Sequence, residues 1–102
     1  MIRVIALITA KPGKREEVLT AARAVVPAVR AEKGCLEYQP VIDAADFGGF
    51  QTAMGPDAYA VIETWQDADA LRAHAVAPHM KEFGRQTKDL IASRIIHVLS
   101  PA

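Results

Sequence analysis

Residues 59–83, YAVIETWQDADALRAHAVAPHMKEF, decide the fold and hold most of the side chains that could do chemistry. The first seven residues are rich in β-branched and aromatic types, which predicts a strand. Alternation along this strand places Glu63 on the same face as Val61 and Trp65. Asp67 then predicts a helix cap. Because a bare buried carboxylate is costly, Glu63 must be paired, solvated or protonated, and we expect any functional site to lie here.

The composition is that of one globular domain, which we place at residues 1–102. Hydrophobic residues make up 51% of the chain, charged residues 24%, and the formal net charge is zero. This balance favours neither a nucleic-acid partner nor a membrane. No apolar run approaches the roughly 20 residues of a membrane span, and we expect no signal peptide. The single cysteine, Cys35, excludes an internal disulfide, argues against structural zinc and favours a cytoplasmic location.

Outside this stretch, hydrophobic periodicity predicts the order β-α-β-β-α-β. A first helix is predicted over residues 14–33, kinked or split near Pro27. A second runs from residue 67 to about 75 and resumes at Pro78. The predicted strands cover residues 2–10, 35–42, 59–65 and 93–99. This order is the split βαβ of ferredoxin-like α+β domains, with an antiparallel sheet. In the second strand we expect Leu36 to share a face with Tyr38.

Two segments predict contacts beyond a simple monomer. The first strand is apolar on both faces, with Ile5 and Leu7 opposite its other apolar residues, so both faces need cover. We therefore predict a homodimer formed through the sheet face opposite the helices. Residues 43–57 have no clean period but include Phe47 and Phe50. We predict a mobile flap or edge arm there, or a short extra hairpin.

Four stretches of the chain carry a resemblance to known proteins. They are AKPGK at 10–14, VRAEKGCLEY at 29–38, ETWQD at 63–67 and HAVAPH at 74–79. Together these stretches resemble the antibiotic biosynthesis monooxygenase family. The resemblance implies ferredoxin-like subunits that pair their sheets into a dimeric α/β-barrel, each with a pocket between sheet and helices. Members of the family include cofactor-free oxygenases of phenols, quinols and aromatic polyketides, haem-degrading enzymes, and many small proteins without an established reaction.

The resemblance also bears on individual residues. In the oxygenases of this family, the tryptophan at the end of the third strand lines the pocket, which corresponds to Trp65. An asparagine assists in the polyketide and haem branches. This sequence contains no asparagine, so it lacks residue-level support for either of those two mechanisms.

His74 and Glu63 are the candidate catalytic residues. Histidine accepts protons near neutral pH, so His74 could take a phenolic proton. Glu63 could do so if desolvation raised its pKa. Each also has a structural interpretation. Glu63 could hold His74, an arginine or a helix terminus through a charge-assisted bond, and His74 could bond a carbonyl or carboxylate at a helix break.

The candidate substrate-binding residues are aromatic or imidazole side chains. They are Trp65, Tyr38, Tyr59, His79 and Phe83. Trp65 could stack on a flat substrate or pack under the second helix. The tyrosines could offer hydroxyl groups to a ligand or pack at the sheet edge. His79 could be a ligand, although capping and packing are alternatives. Its spacing from His74 is not the i, i+4 pair of a helical zinc site, so we predict no metal.

The resemblance, together with these candidate residues, implies a cofactor-independent monooxygenase that oxidises a small electron-rich aromatic, a quinol or phenol, with dioxygen. The apolar pocket and a base are what such a reaction needs, because the substrate itself supplies the electrons. We expect no cofactor, no nucleic acid and no membrane partner. Two alternatives remain open: a non-catalytic or ligand-binding dimer of the same fold, and a haem-binding or haem-degrading member of the family.

Overall fold

The computed structural model describes residues 1–102 as a four-stranded sheet with three helices. The elements in chain order are β1 (Ile2–Ala10), α1 (Arg15–Arg30), β2 (Cys35–Val41), β3 (Ala58–Trp65), α2 (Ala68–Ala75), α3 (Pro78–Thr87) and β4 (Ile91–Leu99). The strand order is β2-β3-β1-β4, with every neighbouring pair antiparallel. The predicted ferredoxin-like α+β fold is confirmed, and the helical segment after β3 is divided before Pro78 as the sequence predicts.

The core lies between the sheet and the helices because β1 alternates strictly. Val4, Ala6 and Ile8 are buried on the face toward the helices, whereas Ile5 and Leu7 are only half-buried on the opposite face. We call the first surface the inner face of the sheet and the second the outer face. The buried residues of α1 recur at helical spacing and cover the inner face. They are Val18, Leu19, Ala22, Val25 and Val29.

Helix α1 differs from its prediction in two respects. It ends at Arg30, three residues before the predicted end, and it continues through Pro27 without a break. Proline removes the bond that its N–H would have made to the Arg23 carbonyl. Pro27 and Arg23 are both exposed, so water can satisfy this carbonyl, and the helix ends within a turn. The predicted split is therefore wrong, and the alternative of a kink near Pro27 stays a prediction.

Strand β2 contains an irregularity that the alternation of its sequence does not reveal. Cys35 pairs with Trp65 and Glu37 pairs with the adjacent Thr64, so Leu36 is the extra residue of a β-bulge. Leu36 is 57% exposed, whereas Tyr38 is buried. The prediction that these two residues share a face is wrong.

The connection between β2 and β3 has no helix or strand, so the predicted extra hairpin is absent. Its base is closed by Asp43, whose carboxylate accepts hydrogen bonds from the backbone N–H groups of Met54 and Gly55, at 2.9 and 3.0 Å. At its tip the rings of Phe47 and Phe50 meet edge to face at 5.1 Å, and both are exposed. The role of this loop as a flap or arm stays a prediction. None of the helices is long and apolar enough to cross a membrane.

Candidate functional site

A largely apolar cavity of about 350 Å³ lies between the inner face of the sheet and the helices. Its wall is built from all four strands and all three helices, so residues far apart in the chain meet there. The polar side chains of the wall are Tyr38, Tyr59, Glu63, His74 and Arg94. An apolar cavity with a few convergent polar groups is the usual form of a small-molecule site.

Strand β4 forms the open side of this cavity. Its inward-facing residues Arg94, Ile96 and Val98 pair with the inner-face residues of β1 and belong to the wall. Ile96 and Val98 are nevertheless 56% and 57% exposed in the single chain. A ligand could therefore enter over β4, and it would bury these side chains on binding.

Glu63 lies at the buried end of the cavity, beside Trp65 and His74. The indole Nε1–H of Trp65 donates to Glu63 Oε1 at 2.9 Å, and His74 Nε2 lies 4.0 Å from the same oxygen. The rings of Trp65 and His74 are 4.7 Å apart. Burial raises the pKa of the Glu63 carboxyl above its ordinary value, against the lowering effects of the Trp65 hydrogen bond and of His74. The hydrogen bond of Glu63 is therefore made to Trp65, and a charge-assisted bond to His74 stays a prediction.

A second carboxylate approaches His74 from the other side. Glu32 Oε2 lies 2.8 Å from His74 Nδ1 and 2.8 Å from His79 Nε2. The break between α2 and α3 brings these histidines together, because His74 lies in the last turn of α2 and His79 in the first turn of α3. We call the three residues the Glu32 cluster.

The Glu32 cluster also has the composition of a small cation site. Its three polar atoms all lie within 4.8 Å of one another, and a carboxylate with two imidazoles suits several divalent metals. The 2.8 Å distances are those of two imidazole N–H groups that donate to one carboxylate oxygen. The three residues therefore form a hydrogen-bonded cluster. The predicted absence of a metal stays a prediction.

Two tyrosines supply hydroxyl groups to the cavity. Tyr38 packs edge to face on His74, with ring centroids 5.5 Å apart. Burial, and then the charge of Glu63, raise its pKa far above the ordinary tyrosine value. Burial also raises the pKa of Tyr59 to about 12. Both hydroxyls therefore remain protonated at neutral pH and can donate hydrogen bonds to a ligand oxygen.

The structure brings five of the seven predicted site residues to the cavity wall and leaves two behind it. Those in the wall are Tyr38, Tyr59, Glu63, His74 and Phe83. Trp65 is fully buried and offers no surface to the cavity, but it contacts the site through Glu63. His79 is also outside the wall and is connected to His74 through Glu32.

Sequence reasoning missed Glu32 and Arg94. Arg94 could have been found, since alternation along β4 places it on one face with Ile96 and Val98, as an isolated charge on an apolar face. This is the same signal that identified Glu63. Glu32 lies in the turn between α1 and β2, where no periodicity exists. Its long-range contacts with two later helices left no local signal.

The profile of the antibiotic biosynthesis monooxygenase family matches residues 1–86. The chain is 38% identical over 103 residues to the protein named probable quinol monooxygenase YgiN of Escherichia coli strain K12, covering 99% of this chain and 98% of that one.

Solved structures give the same comparison in three dimensions. The crystal structure of PA3566 from Pseudomonas aeruginosa superposes with a TM-score of 0.82 at 33% identity, covering 99% of this chain and 93% of that one. The structure of Rv0793 from Mycobacterium tuberculosis has a TM-score of 0.80 at 24% identity, covering 99% and 94%. The second likeness shows the fold alone.

Proposed function

Because the chain belongs to the antibiotic biosynthesis monooxygenase family, we propose that it is a cofactor-independent monooxygenase of a small electron-rich aromatic, a quinol or phenol. The observation that carries the proposal is the apolar cavity with His74 and Glu63 at its buried end. A cavity of about 350 Å³ is within the range of small-molecule sites. The name of the Escherichia coli relative supports quinols as the first substrates to test.

His74 is the residue we propose as the general base. It lines the cavity, is only 7% exposed, and belongs to the residue type that exchanges protons near neutral pH. Glu63 is less suited to this role because its Oε1 already accepts the Trp65 indole N–H. With an oxygen 4.0 Å from His74 Nε2, its carboxylate would instead stabilise the imidazolium that forms.

The reaction needs no added reductant. Removal of the hydroxyl proton leaves an electron-rich anion, which passes electrons to dioxygen and then forms a carbon–oxygen bond with it. One oxygen atom stays in the quinone product and the other leaves as water, so the quinol supplies all four electrons. The apolar wall protects the anion from bulk water. The Tyr38 hydroxyl, kept protonated by burial, can donate to the oxyanion.

Oxygen uptake with a panel of quinols and hydroxynaphthalenes tests this proposal. We expect His74→Ala to lower kcat by about 10²–10⁴-fold, the usual loss when a general base is removed. Each rate is compared with the protein-free autoxidation rate and with an anaerobic sample. The matched control is Arg72→Ala on the same helix, because the Arg72 side chain is 77% exposed and its ion pair is with Asp69, outside the cavity wall.

Three other outcomes would point away from the proposed base or reaction. Equal turnover in His74→Ala and Arg72→Ala would place the chemistry elsewhere. Binding of quinols without oxygen uptake would support the ligand-binding alternative. A Soret band on adding haemin, lost in His74→Ala or His79→Ala, would support the haem alternative.

A further inference from the structure

Glu32 is a mostly buried carboxylate that the proposed reaction does not use. Its side chain is 13% exposed, and it is not part of the cavity wall. Its side-chain partners are His74 and His79, with no lysine or arginine at ion-pair distance. A carboxylate with so little contact with water requires polar partners, and here both partners are imidazoles on the same oxygen atom.

The arrangement determines which nitrogen of His74 carries its proton. An ionised carboxylate has no hydrogen to donate, so each imidazole must present an N–H to Glu32. In the neutral form of His74 the proton is then on Nδ1, and Nε2 has the free lone pair. Nε2 is the nitrogen nearer to Glu63, at 4.0 Å from Oε1, and the ring lines the cavity. A substrate hydroxyl group in the cavity would therefore meet an acceptor.

Glu32 is held in place independently of His74. Its backbone N–H donates to the Val29 carbonyl at 2.9 Å, and its own carbonyl accepts from Cys35 N–H at 3.1 Å. His79 belongs to a different helix from His74 and supplies a second donor to the carboxylate. The backbone of Glu32 is thus fixed by two hydrogen bonds and its carboxylate by His79, so the carboxylate can orient the imidazole of His74.

We propose that Glu32 is the positioning residue of this site: it keeps the proton of His74 on Nδ1 and leaves Nε2 to take the proton of the substrate hydroxyl. This role rests on the function proposed above. In the step, the substrate O–H bond breaks, an Nε2–H bond forms, and the electron pair stays on the substrate oxygen. The imidazolium that results lies against the Glu32 carboxylate, which stabilises its charge. Carboxylate–histidine pairs in hydrolases act by the same principle.

Glu32→Gln tests the role in turnover, because the amide keeps the shape of the side chain but not its charge. We expect kcat to fall by about 10²–10⁴-fold, since amide replacement in a carboxylate–histidine pair has effects of this order. KM should change little, because Glu32 does not line the cavity. The control is Glu37→Gln, a carboxylate that bonds the Thr64 hydroxyl outside the cavity. Equal kcat in the two variants would overturn the inference.

A measurement that needs no activity separates this inference from the proposed function. Nitrogen-15 NMR of the imidazoles shows which ring nitrogen of His74 carries hydrogen. We expect Nδ1–H in the wild-type protein and a shift toward Nε2–H in Glu32→Ala, which removes the acceptor. Nε2–H in the wild type would overturn the role of Glu32 whatever the activity. If no quinol is oxidised but the Nδ1–H form depends on Glu32, the proposed function fails, whereas the control of the His74 tautomer by Glu32 stands.

Discussion

At the scale of single residues, Glu63 is the carboxylate of the cavity wall, and burial disfavours its charged form. The residue is 5% exposed, and burial is the largest cause of the raised pKa of its carboxyl. The folded chain therefore holds this proton more tightly than the unfolded chain does. The resulting stabilisation is fully present below the ordinary value of 4.5 and is lost as pH rises through the folded-state pKa.

Glu63→Gln should remove this loss of stability with pH. The amide cannot ionise, yet its oxygen can still accept the Trp65 N–H. We expect the melting temperature of the wild type to fall, relative to that of Glu63→Gln, as the pH rises above 4.5. Thermal unfolding by circular dichroism across this range measures the difference. Glu37→Gln is the control, and parallel curves for wild type and Glu63→Gln would contradict the expectation.

What could be predicted at this scale depended on where each residue lies. Glu63 was identifiable because a strand has a period of two, so a carboxylate between Val61 and Trp65 stands out on an apolar face. The burial of Trp65 behind the cavity wall was not readable, because alternation gives the face of a side chain and not its depth. Glu32 had neither period nor apolar neighbours to mark it.

At the scale of elements, the turn between α1 and β2 determines how closely α2 approaches the sheet. Gly34 has φ of +84°, and a Cβ added there would lie 2.6 Å from the Cβ of Ala70 on α2. Its carbonyl also accepts the backbone N–H of Gln66 at 2.8 Å. Only glycine satisfies both the backbone angle and the contact, and this turn also presents Glu32 to His74.

Gly34→Ala should therefore destabilise the fold and loosen the Glu32 cluster. The backbone strain alone should cost about 1–2 kcal/mol of unfolding free energy, and the clash with α2 should add to it. Gly13→Ala is a matched control, because Gly13 has φ of +77° but no heavy atom near its added Cβ. Urea unfolding of both variants measures the two contributions. Equal losses of unfolding free energy would show that α2 moves away without cost.

Strands and helices were predictable from this sequence to the extent that each is amphipathic. The apolar stripe of α1 and the apolar alternation of β1 each repeat over several residues. One atypical residue therefore does not change the prediction of the element. Departures from regularity were not predictable: Leu36 lies in a β-bulge, and α1 tolerates Pro27 because Arg23, whose carbonyl loses its helical partner, is an exposed residue. Both departures depend on the surroundings of a single residue, which a repeated pattern does not record.

At the scale of the whole molecule, the outer face of the sheet carries apolar side chains that no helix of the chain covers. Ile5 and Leu7 are half-buried there, and Ile95, which pairs with Leu7, is 52% exposed. Leu99 continues this apolar surface at 41% exposure. Burial of apolar area is worth about 25 cal/mol per Å². We propose that two copies of the chain pack these faces together, as the first strand predicted.

Sedimentation at micromolar concentration should then report a particle of twice 11.0 kDa. Ile95→Lys should shift the protein toward monomer, because it places a charge in the proposed interface. Val76→Lys is the control, an exposed apolar residue in the connection between α2 and α3. An 11.0 kDa species for the wild type would contradict the dimer, and an equal shift in both variants would place the interface elsewhere.

The chain has one tryptophan, and that residue is fully buried at the end of the candidate site. Its indole N–H is bonded to Glu63 and its ring lies 4.7 Å from that of His74. All tryptophan fluorescence of the protein therefore originates beside the proposed base. Because a protonated imidazole quenches a neighbouring indole, emission intensity should follow the charge of His74 through a titration or a stopped-flow turnover. The molecule thus contains its own optical probe of proton transfer, and no label has to be introduced.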